Sequence, residues 1–227
     1  MKKVAFKMKI AGVDDAGRGS VIGPLVIAGV VVEEEKLPRL RDLGVKDSKL
    51  LSPHRREQLE QEIKKLVLQF HVVKLTPIEI DQVVETGKKL HKLNRLEADT
   101  MAEVIEVLKP DIAYVDASDV LAERFKEHIE EKLPFKVKIV SEHKADVTYP
   151  VVSAASIIAK VERDRAVHEL MNTYGDMGAG YPSDPKTIRF LENWITKYGS
   201  YPDFVRKSWK PAKRLKEEAK AKQTRFV

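Results

Sequence analysis

Two adjacent carboxylates, Asp14 and Asp15, follow a strand-like run, Met8 to Val13, and lead straight into Gly17-Arg18-Gly19. Acid suits a cation. An arginine beside bared backbone amides suits a phosphate, and glycines on either side let the backbone approach a ligand closely. Together these groups are the apparatus of metal-assisted phosphate chemistry. Successive strand residues point to opposite faces, so Asp14 and Asp15 are expected to converge only if the strand ends at them. An Asp-Asp pair standing alone would read as an ordinary surface turn.

The pair does not stand alone. Ile112-Ala-Tyr-Val-Asp116 is a short apolar strand running into acid. Glu142-His-Lys-Ala-Asp146 leads through Tyr149-Pro150 into a small-residue stretch with Ser156 and Lys160. Gly178-Ala-Gly-Tyr181-Pro-Ser-Asp184-Pro185 is a Gly/Pro turn carrying one aromatic. Gathering Asp14, Asp15, Asp116 and Asp146 from distant segments is costly unless cations neutralise them, which is a physical reason to take them as metal ligands. Seen singly, Asp116 or Asp119 could cap a helix, and Asp146 could favour a helix start through the macrodipole.

These blocks occur in one order between residue 10 and about residue 210, and in that order the chain resembles ribonuclease HII of the archaeal type. The matching segments are Asp14-Asp-Ala-Gly-Arg-Gly19, Gly44-Val-Lys-Asp-Ser-Lys49, Tyr114-Val-Asp116, His143-Lys-Ala-Asp146, Ser153 to Lys160, and Gly180-Tyr-Pro-Ser-Asp184-Pro. The resemblance implies a ribonuclease H-like α/β fold, a mixed five-stranded sheet flanked by helices, with a C-terminal helical extension. It implies a catalytic domain over 1–200 and a basic helical tail over 201–227, packed on that domain or extending from it. The implied activity is hydrolysis of the RNA strand of RNA–DNA hybrids, with cleavage 5′ to ribonucleotides embedded in DNA. Two Mg²⁺ or Mn²⁺ ions would serve it, giving 3′-hydroxyl and 5′-phosphate ends in primer removal and ribonucleotide excision.

By the same resemblance Asp14 bridges both ions, Asp15 and Asp116 serve the leaving-group ion, and Asp146 serves the ion that activates water. Gly17, Arg18 and Gly19 read the backbone at an RNA–DNA junction, and Tyr181 lies beneath the sugar of the last ribonucleotide. Lys49, Ser156 and Lys160 are implied phosphate contacts. The chain departs from the family pattern at three places: Asp15 stands where Glu is usual, Ser20 where Pro is usual, and Leu50 where a second Lys is common. Asp15 motivates an alternative, a catalytically weakened or silent hybrid-binding homologue. His143 is not needed as a base where metals activate water, and Trp209 reads as a packing anchor.

The elements that must position these groups follow from pattern. Leu25 to Val32 is a β-branched buried strand. Ser52-Pro53 starts a helix as N-cap and N1. Val67 to Leu75 reads as a strand, and Thr76-Pro77 opens a short helix. Leu90 to Leu108 has the apolar spacing of an amphipathic helix ended by Pro110. Ile112 to Val115, a helix over Asp119 to Lys132 and a strand over Lys136 to Val140 form a parallel crossover unit. Pro150 opens a long helix to about Tyr174, Pro185 another to about Tyr198, and the last helix begins near Ser208.

Composition sets the remaining bounds. Apolar residues make up 43% of the 227, enough for a core. There is no cysteine, hence no disulfide framework or thiolate metal site. No apolar run is long enough to span a bilayer, and Lys7 and Lys9 interrupt any leader-like segment, so a cytoplasmic, monomeric protein is expected. The net charge of +6 is concentrated: Arg206 to Val227 holds nine Lys/Arg and two Glu, leaving 32 basic against 33 acidic residues elsewhere. That asymmetry suits a polyanion. The terminal Gln223-Thr-Arg-Phe226-Val is faintly similar to a sliding-clamp-binding tail and lacks its aromatic pair.

Overall fold

The computed structural model describes residues 7–45, 51–86 and 92–224. Strand β1 (Lys9–Ala16) runs through both carboxylates instead of ending before them, because its antiparallel partner stays paired with it as far as Ala16. Strand β2 (Leu25–Glu33) lies antiparallel to it, with Asp14 opposite Ala28 and Asp15 opposite Ile27. On its other side β4 (Ile112–Asp116) is parallel, and β5 (Lys138–Glu142) continues parallel to β4. With β3 (Gln69–Leu75) at the far edge, the order is β3-β2-β1-β4-β5, a mixed five-stranded sheet flanked by helices, as the sequence implies.

The helices are α1 (Leu37–Asp42), α2 (Pro53–Leu66), α3 (Pro77–Thr86), α4 (Lys92–Leu108), α5 (Ala122–Glu130), α6 (Ala145–Thr148), α7 (Pro150–Tyr174), α8 (Pro185–Tyr198) and α9 (Lys210–Thr224). Their starts follow local chemistry. Ser52 accepts a hydrogen bond from Arg55 N–H at the head of α2, and Asp184 accepts one from Lys186 N–H at the head of α8. At α3, Thr76 and Glu79 exchange hydrogen bonds as a capping box. Helices α1 and α6 are not anticipated by periodicity, being short. The crossover helix α5 begins later than expected, because Asp119 turns back to accept Leu121 N–H and to pair with Arg124.

Chain contacts divide the molecule into two compact units: Met1–Ala16, Val26–Val73 and Asn94–Val161 form the first, and Gly17–Leu25, Lys74–Leu93 and Glu162–Val227 the second. In the first unit the sheet separates two cores. Ile10, Ala16, Val26, Ala28 and Tyr114 face the first half of α7, which is buried through Val151, Val152, Ala155, Ile158 and Ala159. Ala11, Val13, Ile27, Ala113 and Val115 face α4 and α5. Gly12 lies so close to α7 that a Cβ there would meet Val151 and Val152 backbone atoms at 2.3–2.4 Å.

The second unit has its own core of Val21, Ile22, Met177, Leu191, Ile195, Tyr201, Val205, Ala212 and Leu215. Residues of α9 share it with α8. Asp81 of α3 fixes the entry to α9 by accepting Lys207 N–H, Ser208 N–H and the Ser208 hydroxyl.

Candidate active site

Register carries Asp14 and Asp116 to the same place. The β1–β4 ladder ends at Val13 opposite Val115, and the next residue on each strand is an aspartate. Ile10 and Tyr114 pack on the α7 side, so alternation puts Asp14 and Asp116 on that side too. Asp15 falls on the opposite face. There Ser118, just beyond β4, donates its hydroxyl to Asp15 Oδ1 at 3.2 Å. The strand therefore does not end at the pair, yet the carboxylates stay close enough for Asp15 to be the strongest charge acting on Asp14.

Asp14 is 4% exposed. Its Oδ1 accepts Asp15 N–H at 2.7 Å. Burial first, then repulsion by Asp15 and Asp116, pushes its carboxyl well above the ordinary carboxylate range. The charge of Lys160 and the hydroxyl of Ser156 pull in the other direction. These two residues lie one turn apart on α7, with Lys160 Nζ 2.5 Å from Ser156 Oγ. Both act on Asp14 from α7.

Asp116 Oδ1 accepts the N–H of Ala145 at 2.8 Å, which ties the loop after β5 to the end of β4. Asp146, the next residue, is 5% exposed at the start of α6 and lines a cavity of about 180 Å³ with Arg41 and Ser153. His143 places its ring nitrogens 3.3 Å from Ala117 O and Val120 O, and so braces the loop after β4. Lys49 lies outside the described residues, as do the last three residues of the clamp-like tail.

The donor set is oxygen only, which is the chemistry Mg²⁺ and Mn²⁺ select. The placement of buried Asp14 beside Asp116, with Asp15 next in sequence, fits such an ion, because a divalent cation relieves the cost of bringing acids together. Among the described residues no three His, Cys, Asp or Glu side chains form a preformed metal cage.

In the second unit the Gly17-Arg18-Gly19 turn is held from inside. Gly17 has φ +88°, and a Cβ there would sit 2.7 Å from Pro24 O, so only glycine fits without strain. Ser20, the departure from the family's proline, donates both its N–H (3.2 Å) and its hydroxyl (2.8 Å) to Gly17 O. Proline could make neither bond. Arg206, fully buried, donates to Gly17 O at 2.7 Å, Arg18 O at 2.8 Å and Gly23 O at 3.2 Å, and stacks 5.0 Å from the Trp209 ring. Trp209 is thus a packing residue, as its position suggested. Tyr181 is half-buried with the Arg163 guanidinium 4.5 Å from its ring centre. Arg163 in turn bonds Ala179 O and Asp164.

Sequence reasoning missed Ser118, Ala145 N–H, Arg163 and Arg206. The last two sit in charge-rich stretches that read as solvated, and no spacing distinguishes them there.

Known proteins share this sequence pattern and fold. The profile of the ribonuclease HII family matches residues 11–212. Ribonuclease HII of Pyrococcus abyssi is 49% identical over 218 residues, 95% of each chain. The crystal structure of ribonuclease H2 from Pyrococcus horikoshii superposes with a TM-score of 0.86 at 45% identity, covering 94% of this chain and 99% of that one. Ribonuclease HII from Archaeoglobus fulgidus, solved in complex with PCNA, gives 0.82 at 47% identity, covering 91% and 96%. The chain belongs to the ribonuclease HII family, hydrolases of the ribonuclease H class.

Proposed function

We propose that the protein is an endonuclease that hydrolyses the RNA strand of RNA–DNA hybrids and cuts 5′ to ribonucleotides embedded in duplex DNA, leaving 3′-hydroxyl and 5′-phosphate ends. The observation that carries this reading is Asp14: a buried carboxylate placed by register beside Asp116, next in sequence to Asp15, with Lys160 and Ser156 at its back. Asp14, Asp15, Asp116 and Asp146 would hold a pair of Mg²⁺ or Mn²⁺ ions, which would supply an activated water and stabilisation of the leaving oxygen. Asp14, flanked by both acidic neighbours, is the ligand proposed to be shared. Lys160 and Ser156 partly offset the burial and repulsion that oppose the charge on Asp14.

In the second unit, Gly17, Arg18 and Gly19 are proposed to meet the substrate backbone and Tyr181 the ribose at the junction, where the 2′-hydroxyl distinguishes RNA from DNA. The A. fulgidus relative's complex with PCNA supports a sliding clamp as a second partner. No described helix is long and apolar enough to cross a membrane. We place the protein, as a monomer, in the cytoplasm.

The test is cleavage of a DNA duplex carrying one ribonucleotide, in Mg²⁺ and in Mn²⁺, with the product ends identified. A nick 5′ to the ribonucleotide is expected with either ion. Hybrid binding with no cleavage in both ions would replace this reading with that of a silent binding homologue.

A further inference from the structure

We propose that a cleft of the second unit, at the end of α7 and along α8, binds a single-stranded nucleic acid segment. This site is distinct from the carboxylates and from the Gly17 turn, and it adjoins the Gly178–Asp184 turn through Asp176 and Lys186. Helix α8 buries Thr187, Leu191 and Ile195, which satisfies its inward face. A second stripe at four-residue spacing, Phe190, Trp194 and Tyr198, starts half-buried against that core and ends exposed at Tyr198. Tyr174, the last residue of α7, stands against that stripe, 5.8 Å from Trp194 between ring centres. Phe204 backs it at 4.6 Å from Tyr174, and Tyr198 continues it at 4.7 Å from Trp194. The result is an aromatic wall lining a cavity of about 350 Å³.

Two features separate this wall from simple packing. Tyr174 and Tyr198 remain 44% and 54% exposed, so their rings stand open to a stacking partner. The rim is basic: Lys186, Arg189 and Lys197 line the cavity against a single acid, Asp176, which is paired with Lys186 at 2.8 Å. Lys197 Nζ sits 5.0 Å over the Tyr198 ring. An apolar peptide would offer Arg189 and Lys197 no counter-charge. A polyanion with stackable rings matches both halves, because aromatic platforms take bases while adjacent Arg and Lys take phosphates. The choice of nucleic acid rests on the function proposed above, and the natural ligand is the unpaired strand beside a hybrid or nick.

The probe is a fluorescent oligothymidylate of about 12 nucleotides, within the usual span of such sites. The full chain should bind it at low salt. Binding should weaken roughly tenfold in Tyr198→Ala, the scale of one base–aromatic stack. Arg189→Glu, a change at an exposed position, should weaken it further, whereas Tyr198→Phe keeps the ring and should bind like the parent. Cleavage of a blunt hybrid should be unchanged in all three. This pattern supports the cleft whether or not the parent protein cleaves hybrid, so a failure of the nuclease reading stays visible separately. Absence of oligothymidylate binding by the parent would overturn the proposal. So would equal binding by parent, Tyr198→Ala and Arg189→Glu.

Discussion

At the scale of single residues, the site is governed by the cost of burying like charges. The Asp14 carboxyl lies above its usual range because burial and two acidic neighbours oppose its ionisation. A carboxyl with a raised pKa in the folded state binds its proton more tightly there than in the unfolded chain. The metal-free fold therefore loses stability as pH rises from about 4 through that raised value. Asp14→Asn removes the charge and keeps the shape. It should raise the melting temperature of the chelator-treated protein at pH 7, and the difference should shrink on acidification towards pH 4. Cleavage should fall about a hundredfold or more, the order seen when one electrostatic stabiliser is removed. A lower melting temperature for the variant at pH 7 would show that Lys160 and Ser156 already compensate the charge.

Arg163 is a second residue-scale case. Its guanidinium lies over Tyr181 and bonds Ala179 O in the same turn, so it is a positioning residue for the ring. A cation–π contact contributes about 0.5–2 kcal/mol. We expect Arg163→Met to lower the rate at a lone ribonucleotide by several-fold relative to the rate on a long hybrid, as Tyr181→Ala should do more strongly. Equal slowing on both substrates would reduce Arg163 to a purely structural part.

At the scale of elements, the decisive contact is the close approach of β1 to α7. Gly12 permits it, since any Cβ would collide with Val151 and Val152 backbone. Neither backbone can move alone: β1 is paired on both sides and the first half of α7 is buried. Gly12→Ala should destabilise by about 1–3 kcal/mol or more, as overpacking does, which thermal melting would report. Because α7 carries Ser156 and Lys160, the same substitution should reduce cleavage beyond what the drop in stability explains. A variant that melts like the parent would mean the strand and helix separate more readily than their packing indicates. The glycine is central to the strand and invisible to periodicity, and its reason lies in an element more than a hundred residues away.

At the scale of the whole molecule, charge is spent unevenly. Arg206 belongs by sequence to the basic tail, yet it is buried and satisfied by carbonyls of the Gly17 turn. It cannot serve a polyanion. Lys213, Lys216 and Lys220 of α9 are exposed, while Ala212 and Leu215 hold the helix in the core. Replacing those three lysines by glutamine should therefore leave melting nearly unchanged. It should flatten the dependence of hybrid binding on salt, by roughly 0.9 in slope for each phosphate no longer engaged. An identical slope would make α9 a solvated helix. The Lys213–Glu85 pair, at 3.5 Å and half exposed, contributes too little to obscure the result.

Local chemistry was enough for the outline. The β-branched run at Leu25, the prolines at 150 and 185 and the caps at Ser52, Thr76 and Asp184 mark where elements start, because caps and proline act within one turn. The order of acidic and glycine-rich blocks was likewise enough to identify the family. Only the tertiary structure decided how the acids face one another. Pairing with β2 carried β1 on to Ala16, alternation set Asp14 and Asp15 on opposite faces, and the parallel ladder brought Asp116 beside Asp14. Ser118, Ala145, Arg163 and Arg206 acquired their roles the same way, through partners distant in sequence. A carboxylate's protonation depends on the charges within a few ångströms of it, and strand register, which no single segment encodes, selects those charges.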